Sequence, residues 1–285
     1  LDERNTLGAS LTYFSLGSID FFSEDGQQTG TYKPNEFAFD VAYSMKLSEN
    51  LSMSLTGRYI RSDLTQGQNV GTTSTHAANA GAADLGLYYQ NKINLEMPSE
   101  YAFGVQISNL GSKISYSDNM ESSFLPANLR IGGRYSMDFD QFNNLSVMAD
   151  FNKLLVPTPP VYDGEGNIFA GKDPNVGVLQ GAIQSFYDAP NGFKEELQEV
   201  QWSAGMEYAY NNQFFLRAGY HYEHPNKGNR TYFTVGAGFK MNIFSLDAGY
   251  VISTAQSNPL DQTLRFSLAF DMDGIGDLLG KKRRR

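Results

Sequence analysis

The chain has 285 residues, 13% of them aromatic and only 19% charged, and its lack of long helix-forming runs disfavours a helical bundle or a doubly wound α/β enzyme. Its net charge is −9 although it ends in KKRRR, so nucleic acid is not expected as a partner, because phosphate binding needs a basic face. It has no cysteine, which excludes disulfides, thiolate catalysis and cysteine metal sites.

Apolar and polar side chains alternate along most of the chain, the pattern of a strand with one apolar face. In 51–59, for example, Leu, Met, Leu, Gly and Tyr alternate with Ser, Ser, Thr and Arg. Most such segments have nine to twelve residues, which suits a tilted membrane strand of about 9–11 residues better than a soluble strand of about 5–6. Twelve of them follow one another, at 5–16, 36–47, 51–62, 82–91, 101–111, 127–137, 143–152, 200–210, 213–223, 230–241, 243–252 and 261–271.

The links between these segments alternate in length. The long links are 17–35, 63–81, 112–126 and 153–199, two later ones are moderate, and those between them are short. Outer-membrane barrels have short periplasmic turns and long extracellular loops. The sequence therefore predicts an all-β fold, an antiparallel transmembrane outer-membrane β-barrel over residues 1–272. Its loop 153–199 would be extracellular, its termini periplasmic, and residues 273–285 a basic periplasmic tail.

The alternation also assigns side chains to the two faces of the barrel. Apolar side chains such as Leu55 and Leu216 are expected to contact lipid. The opposite face carries charges of both signs, which can pair inside the lumen and fill it, so that no steady pore is expected. The charged residues predicted to line the lumen are Asp40, Arg58, Asp84, Arg130, Arg134, Asp150, Glu207, Arg217 and Arg265.

The link 153–199 is the most informative connection. Its 47 residues exceed the length of about 12–15 beyond which a loop is usually functional or disordered. A helix can begin near Asp173 and Pro174, and its apolar face would carry Val176, Leu179, Ile183 and Phe186. Two interpretations stay open: a surface that binds cargo or translocon, or a self-packed cap over the lumen. The residues predicted to bind a partner are Pro159, Pro160, Tyr162, Phe169, Phe186, Tyr187 and Phe193.

No segment indicates catalysis, a metal site or a cofactor. Residues 163–167 have oxygen-bearing side chains at the spacing of a calcium loop, but the closing glutamate is missing and a polar turn is expected. Residues 221–224 contain two histidines and a glutamate, which we interpret as a polar cluster at a strand end. No serine lies in a GxSxG setting, so a lipid-modifying enzyme is disfavoured.

Several runs of the sequence are unusual even in their loops. They are SSFLPANLRIGGRY at 122–135, NKLLVPTPPVYDGEGNIFA at 152–170 with its continuation to residue 210, and FFLRAGYHYEHPNKGNRTYFTVGAGFK at 214–240. These runs resemble the PorV family, outer-membrane proteins of the type IX secretion system of the Bacteroidetes. The resemblance implies a FadL-like barrel of fourteen strands, of which twelve are expected here, and an N-terminal segment that this sequence lacks.

The resemblance also implies a function without catalysis. A protein of this family docks on a translocon barrel of the SprA or Sov type and receives secreted proteins that carry a type IX C-terminal domain. It passes them to a surface attachment complex with a sortase-like protease, while outer-membrane lipid surrounds its strands. The FadL-like fold alone implies an alternative, a channel for hydrophobic solutes, which the charged lumen disfavours.

Overall fold

The computed structural model describes residues 2–22, 25–67, 73–94, 96–118, 122–241, 243–255, 258 and 260–271. Strands dominate these ranges, which confirms the predicted all-β fold class. None of the helices in these ranges is long and apolar enough to cross a membrane. The predicted basic tail 273–285 lies outside the described residues.

Twelve strands form one antiparallel sheet, in the order β1-β4-β5-β6-β7-β8-β9-β12-β13-β14-β15-β16. Each corresponds to one of the twelve predicted segments. The other four strands form two hairpins, β2–β3 and β10–β11. The strands are β1 Asn5–Ser15, β2 Ile19–Phe22, β3 Gln28–Tyr32, β4 Asn35–Lys46, β5 Leu51–Asp63, β6 Ala78–Asn94, β7 Pro98–Gly111, β8 Asn128–Asp138, β9 Asn143–Leu154, β10 Val161–Tyr162, β11 Ile168–Ala170, β12 Gln201–Tyr210, β13 Phe214–Tyr222, β14 Tyr232–Lys240, β15 Phe244–Ser253 and β16 Leu264–Phe270. The helices are α1 Val178–Gln184 and α2 Phe193–Gln198, with a 3-10 turn at Pro225–Lys227.

The chain divides into two compact units. Unit 1 comprises residues 1–88, 105–130 and 153–196, and unit 2 comprises 89–104, 131–152 and 197–285. Unit 1 has its buried apolar cluster next to one end of β6, where Ala78 and Ala80 contact Ile114 and Leu125. Large apolar side chains on one sheet face of this unit stay exposed, as Leu55 does at 49%. This unit also contains the hairpin β2–β3, which lies inside the predicted link 17–35.

Unit 2 has an exposed apolar band between two rows of aromatic rings. Leu216 in the middle of β13 is 63% exposed. Towards the β12–β13 turn, the rings of Phe214 and Phe239 are 5.0 Å apart, and towards the other strand ends those of Tyr220 and Phe233 are 4.8 Å apart. Rows of aromatic residues flanking an apolar band are typical of membrane-spanning strands, whose outer face meets lipid.

The turn between β12 and β13 explains one of the short links. Asn211 and Asn212 have φ values of 52° and 51°, and two residues with positive φ form the tight turn whose twist matches that of the strands. Asparagine tolerates this conformation better than other non-glycine residues. The sequence therefore specifies a tight hairpin at this position.

Candidate functional site

One charged cluster on the sheet of unit 1 is centred on Arg58. Its Nε donates to Asp40 Oδ1 at 2.6 Å and its Nη2 to Asp84 Oδ2 at 3.0 Å, while its Nη1 donates to the side chain of Asn109. Asp84 is buried, and both carboxylates lie on strands other than that of Arg58. Because Asp40 lies opposite Arg58 in the strand register, the pairing follows from the way β4 and β5 align. Three residues predicted to line the lumen are thus brought together.

A second cluster, in unit 2, is centred on Arg217. Its Nε donates to Glu207 Oε2 at 2.5 Å, and its Nη1 donates to Asp247. A Cβ at Gly238 would lie 2.9 Å from that same Nη1, so glycine leaves the space that the guanidinium occupies. As in the first cluster, one guanidinium lies between two carboxylates; Glu207 is on the neighbouring strand β12, whereas Asp247 is on β15 and is reached across Gly238 of β14. Glu207 and Arg217 were predicted lumen residues.

The other predicted lumen residues lie outside these two clusters. Arg134 donates through Nη2 to Glu100 within unit 2. Asp150 is half-buried, whereas Arg130 and Arg265 are exposed. The lumen assignment of all nine residues stays a prediction, and the pairing of opposite charges is observed for six of them: Asp40, Arg58, Asp84, Arg134, Glu207 and Arg217.

The root of the loop 153–199 is fixed by a buried ion pair. Lys153 Nζ lies 3.0 Å from Glu196 Oε2, and the two side chains are only 9% and 7% exposed. The other carboxylate oxygen of Glu196 accepts a hydrogen bond from the backbone N–H of Ala189 at 2.9 Å. A second buried carboxylate, that of Asp188, accepts from the backbone N–H of Thr158 at 3.1 Å. These contacts join the beginning of the loop to its end, so the segment folds on itself.

A helix lies in the predicted part of this loop, but it begins later than Asp173 and Pro174 and ends before Phe186, and its apolar side chains face outward. Helix α1 begins at Val178, and Leu179 and Ile183 are 67% and 65% exposed. The buried side of the helix instead carries Gly181, where a Cβ would lie only 2.9 Å from the Phe124 ring. The close approach of this ring decides which side of α1 is covered. The exposure of the apolar stripe could not be read from its spacing alone, although the stripe itself was visible in the sequence.

The residues predicted to bind a partner are almost all exposed. Pro159 is exposed and Pro160 is half-buried. Two of the aromatic rings also lie near lysine ammonium groups, Tyr187 at 3.8 Å from Lys172 Nζ and Phe186 at 5.8 Å from Lys153 Nζ. The exposed fractions are 79% for Phe169, 76% for Phe193, 54% for Tyr162, 54% for Tyr187 and 49% for Phe186.

In the two segments weighed as metal sites, 163–167 and 221–224, the polar side chains form hydrogen bonds within the protein. Asp163 Oδ1 accepts from the backbone N–H groups of Asn167 and Glu165, and the hydrogen bond from Asn167 is the main reason why the pKa of this carboxyl is lowered. Ser203 Oγ lies 2.9 Å from His221 Nδ1, and the buried Glu223 accepts from Gln201 and Arg230. Among the residues with described positions, no group of three His, Cys, Asp or Glu side chains is arranged to hold a metal ion.

Comparison with protein families identifies the chain. The profile of the family described as "Type IX secretion system protein PorV" matches residues 1–161, more than half of the chain. The chain belongs to the PorV family. It is therefore a component of the type IX secretion system and an outer-membrane protein. The matched part includes the Arg58 cluster and the beginning of the long loop. The segments after residue 161 that also resemble the family lie outside the matched part.

Solved structures show a more distant likeness. The toluene transporter TodX of Pseudomonas putida has 14% sequence identity to this PorV-family chain and a TM-score of 0.43, with 94% of this chain and 77% of TodX covered. The toluene transporter TbuX of Ralstonia pickettii has 12% identity and a TM-score of 0.42, with 94% and 76% covered. Both TM-scores are below 0.5. No curated protein sequence matches the chain.

Proposed function

We propose that this protein is a non-enzymatic shuttle of the type IX secretion system. It docks on the translocon barrel, receives secreted proteins through their type IX C-terminal domains and delivers them to the surface attachment complex with its sortase-like protease. Membership of the PorV family supports the secretion system, and the exposed apolar surface of the long loop is the observation that supports docking. A channel for hydrophobic solutes is less well supported, because charged clusters occupy the polar sheet face.

The proposal includes an orientation in the outer membrane. The exposed apolar face, on which Leu55 and Leu216 lie, contacts lipid, and the aromatic rows mark its two borders. The short turns are periplasmic, and the loop 153–199 is extracellular. Both termini are periplasmic, so that a partner at the cell surface meets the loop first.

The docking site is a set of exposed apolar side chains that we name the loop surface. Large exposed apolar groups on a folded segment commonly mark binding sites. The buried pair between Lys153 and Glu196 holds the segment in one conformation, which reduces the entropy lost on binding. Aromatic anchors dominate the binding energy of many interfaces. The loop surface comprises Phe169, Leu179, Ile183, Phe186, Tyr187 and Phe193.

The test is a double substitution on helix α1. Leu179→Gln with Ile183→Gln removes two exposed apolar groups while keeping good helix formers. The matched control, Gln180→Ala, changes an exposed residue of the same helix. Partners that co-purify with each tagged variant from native membranes are quantified, and heat-modifiability on gels reports barrel folding.

The proposal predicts that the double variant folds but recovers at least about tenfold less translocon and cargo, as expected for interface anchors. The control should recover normal amounts. Normal recovery of both partners by the double variant would show that the loop only caps the barrel. A general loss of folded barrel would show a structural role, and the docking claim would also fail.

A further inference from the structure

Unit 2 contains a polar recess of about 550 Å³. Its lining residues lie next to the short links β6–β7, β8–β9 and β12–β13. Its volume is within the range of about 300–1,000 Å³ that is usual for small-molecule sites. Six charged side chains line it: Lys92, Glu100, Arg134, Asp138, Glu207 and Lys240.

The three carboxylates of the recess are already engaged by donors within unit 2. Glu100 accepts from Arg134, and Glu207 accepts from Arg217 at 2.5 Å. Asp138 Oδ1 accepts from the amide Nδ2 of Asn144 at 2.7 Å. The charges of Glu100 and Glu207 are therefore each paired with a guanidinium, which weakens their effect on a ligand, and the Asp138 carboxylate is held by a neutral amide donor.

Of the three cationic side chains that line the recess, those of Lys92 and Lys240 are not paired with a side chain of opposite charge. Within the described part of the chain, no side chain forms a hydrogen bond or ion pair with the ammonium group of Lys92 or of Lys240. Both side chains are exposed, and they lie on different strands, β6 and β14. Arg134, on β8, uses Nη2 for Glu100, and its guanidinium carries five N–H donors in all. The recess thus presents positive donors from three strands, and those of Lys92 and Lys240 have no acceptor side chain within the described part of the chain.

Part of the wall of the recess is a polar network of hydrogen bonds. Ser146 Oγ donates to Ser136 Oγ at 2.9 Å, and Asn144 Nδ2 also donates to Ser136 Oγ at 2.9 Å. Ser146 and Ser136 are only 2% and 8% exposed. Because these groups already satisfy one another, the wall keeps its form without a ligand, and a ligand would not have to order it.

We propose that this recess binds a phosphate group. Lysine ammonium groups and an arginine fork are the side chains that most often bind phosphate, and a phosphate has enough oxygens to meet donors from three strands. A single carboxylate offers only two oxygens and one negative charge, which matches two unengaged ammonium groups less well. The phosphate belongs either to a small soluble ester or to a phospholipid headgroup. The site does not depend on the loop surface, so it stands or falls separately from the proposed docking.

The experiment measures binding of inorganic phosphate and of glycerol 3-phosphate to the purified full chain in neutral detergent, by isothermal titration calorimetry. Lys92→Gln with Lys240→Gln removes both unengaged cations. The control, Lys46→Gln with Lys194→Gln, removes the same charge from residues outside the recess. Lys92→Arg with Lys240→Arg keeps the charge. Heat-modifiability confirms that each variant is folded.

The proposal predicts saturable binding by the wild type, at least tenfold weaker binding by the glutamine pair, and binding within about threefold of wild type for the control and the arginine pair. Nanodiscs that contain phosphatidylglycerol distinguish the source of the phosphate. Competition of these nanodiscs with soluble phosphate indicates a headgroup site, and its absence indicates a soluble ester. The proposal is overturned if neither soluble probe binds saturably, or if the control loses as much affinity as the glutamine pair.

Discussion

The buried pair of Lys153 and Glu196 should decide whether the long loop stays folded. Lys153→Met keeps much of the side-chain volume but leaves the Glu196 carboxylate buried without a counter-charge. Removing one partner of a buried pair typically costs about 3–5 kcal/mol. Glu196 still accepts from the N–H of Ala189, so we expect the lower end, about 3 kcal/mol. Because the pair joins the two ends of one loop, the loss should fall on the loop and leave the strands folded.

Hydrogen exchange measured by mass spectrometry tests this prediction segment by segment. A loss of about 3 kcal/mol corresponds to roughly 100-fold faster exchange by local opening in peptides that cover α1 and α2. Peptides from β12 and β13 should exchange at the wild-type rate. Lys153→Met with Glu196→Leu removes both charges and should recover most of the protection, since apolar replacements of buried pairs are often neutral.

A matched control is Lys172→Met, which removes an exposed lysine from the same loop. It should leave the exchange rates of both helices within a few-fold of the wild type. Unchanged protection of α1 and α2 in Lys153→Met would refute the reasoning. Equal losses in the loop and in the strands would also refute it, because the pair would then stabilise the whole fold.

Three further predictions concern the membrane face, the loop surface and one short turn. Leu55→Arg should cost about 2–4 kcal/mol of stability in lipid vesicles and Ser54→Arg much less, because only Leu55 lies on the face proposed to contact lipid; equal costs would contradict the orientation. Phe186→Ala and Tyr187→Ala should each weaken partner binding by about 1–3 kcal/mol, measured by quantitative co-purification, and unchanged recovery would remove these rings from the interface. Asp140 accepts hydrogen bonds from the N–H of Phe142 and from Asn143, which lower its pKa. A carboxyl with a lowered pKa stabilises the fold above its unfolded pKa of about 3.9, and this contribution is lost as pH falls through the folded value. Exchange of the β8–β9 turn should therefore rise on acidification below about pH 4 relative to Asp140→Asn, and identical profiles would contradict this assignment.

Most strands could be predicted from the sequence because apolar and polar side chains alternate along them, and in inner strands such as β12 exposure alternates with this pattern. In β1 and β16, at the two ends of the sheet order, nearly every residue is exposed, so the prediction there rests on the sequence alternation alone. Alternation with a period of two then assigns successive side chains of a strand to opposite faces of the sheet. The predicted strand 143–152, for example, differs from the observed strand Asn143–Leu154 by two residues at one end. The longest strand, Ala78–Asn94, exceeds the predicted 82–91 at both ends. Its first residues, Ala78 and Ala80, are small and buried within unit 1, so they lack the exposed apolar side chains that mark the other segments.

The candidate site was predicted only in part, because tertiary contacts decide the rest. Alternation places Arg58 on the polar face, but the register of β4 on β5 selects Asp40 as its partner, and the packing of β6 brings Asp84 to it. The helical stripe of Leu179 and Ile183 is visible in the sequence, and the side of α1 that is covered depends on the distant Phe124. Of the charges that line the recess in unit 2, Arg134 and Glu207 were predicted lumen residues, whereas the others were not singled out, since they come from strands far apart in the sequence.

The most direct test of the central claim is photo-crosslinking from the loop surface in living cells. A photoreactive phenylalanine analogue replaces Ile183, which is 65% exposed, and in a control chain it replaces Leu216, on the face assigned to lipid. The account predicts that the probe at 183 captures the translocon barrel or cargo with a type IX C-terminal domain, whereas the probe at 216 captures neither. Capture of neither partner from position 183, with the variant folded and present in the outer membrane, would contradict the claim that this loop docks the protein onto the secretion machinery.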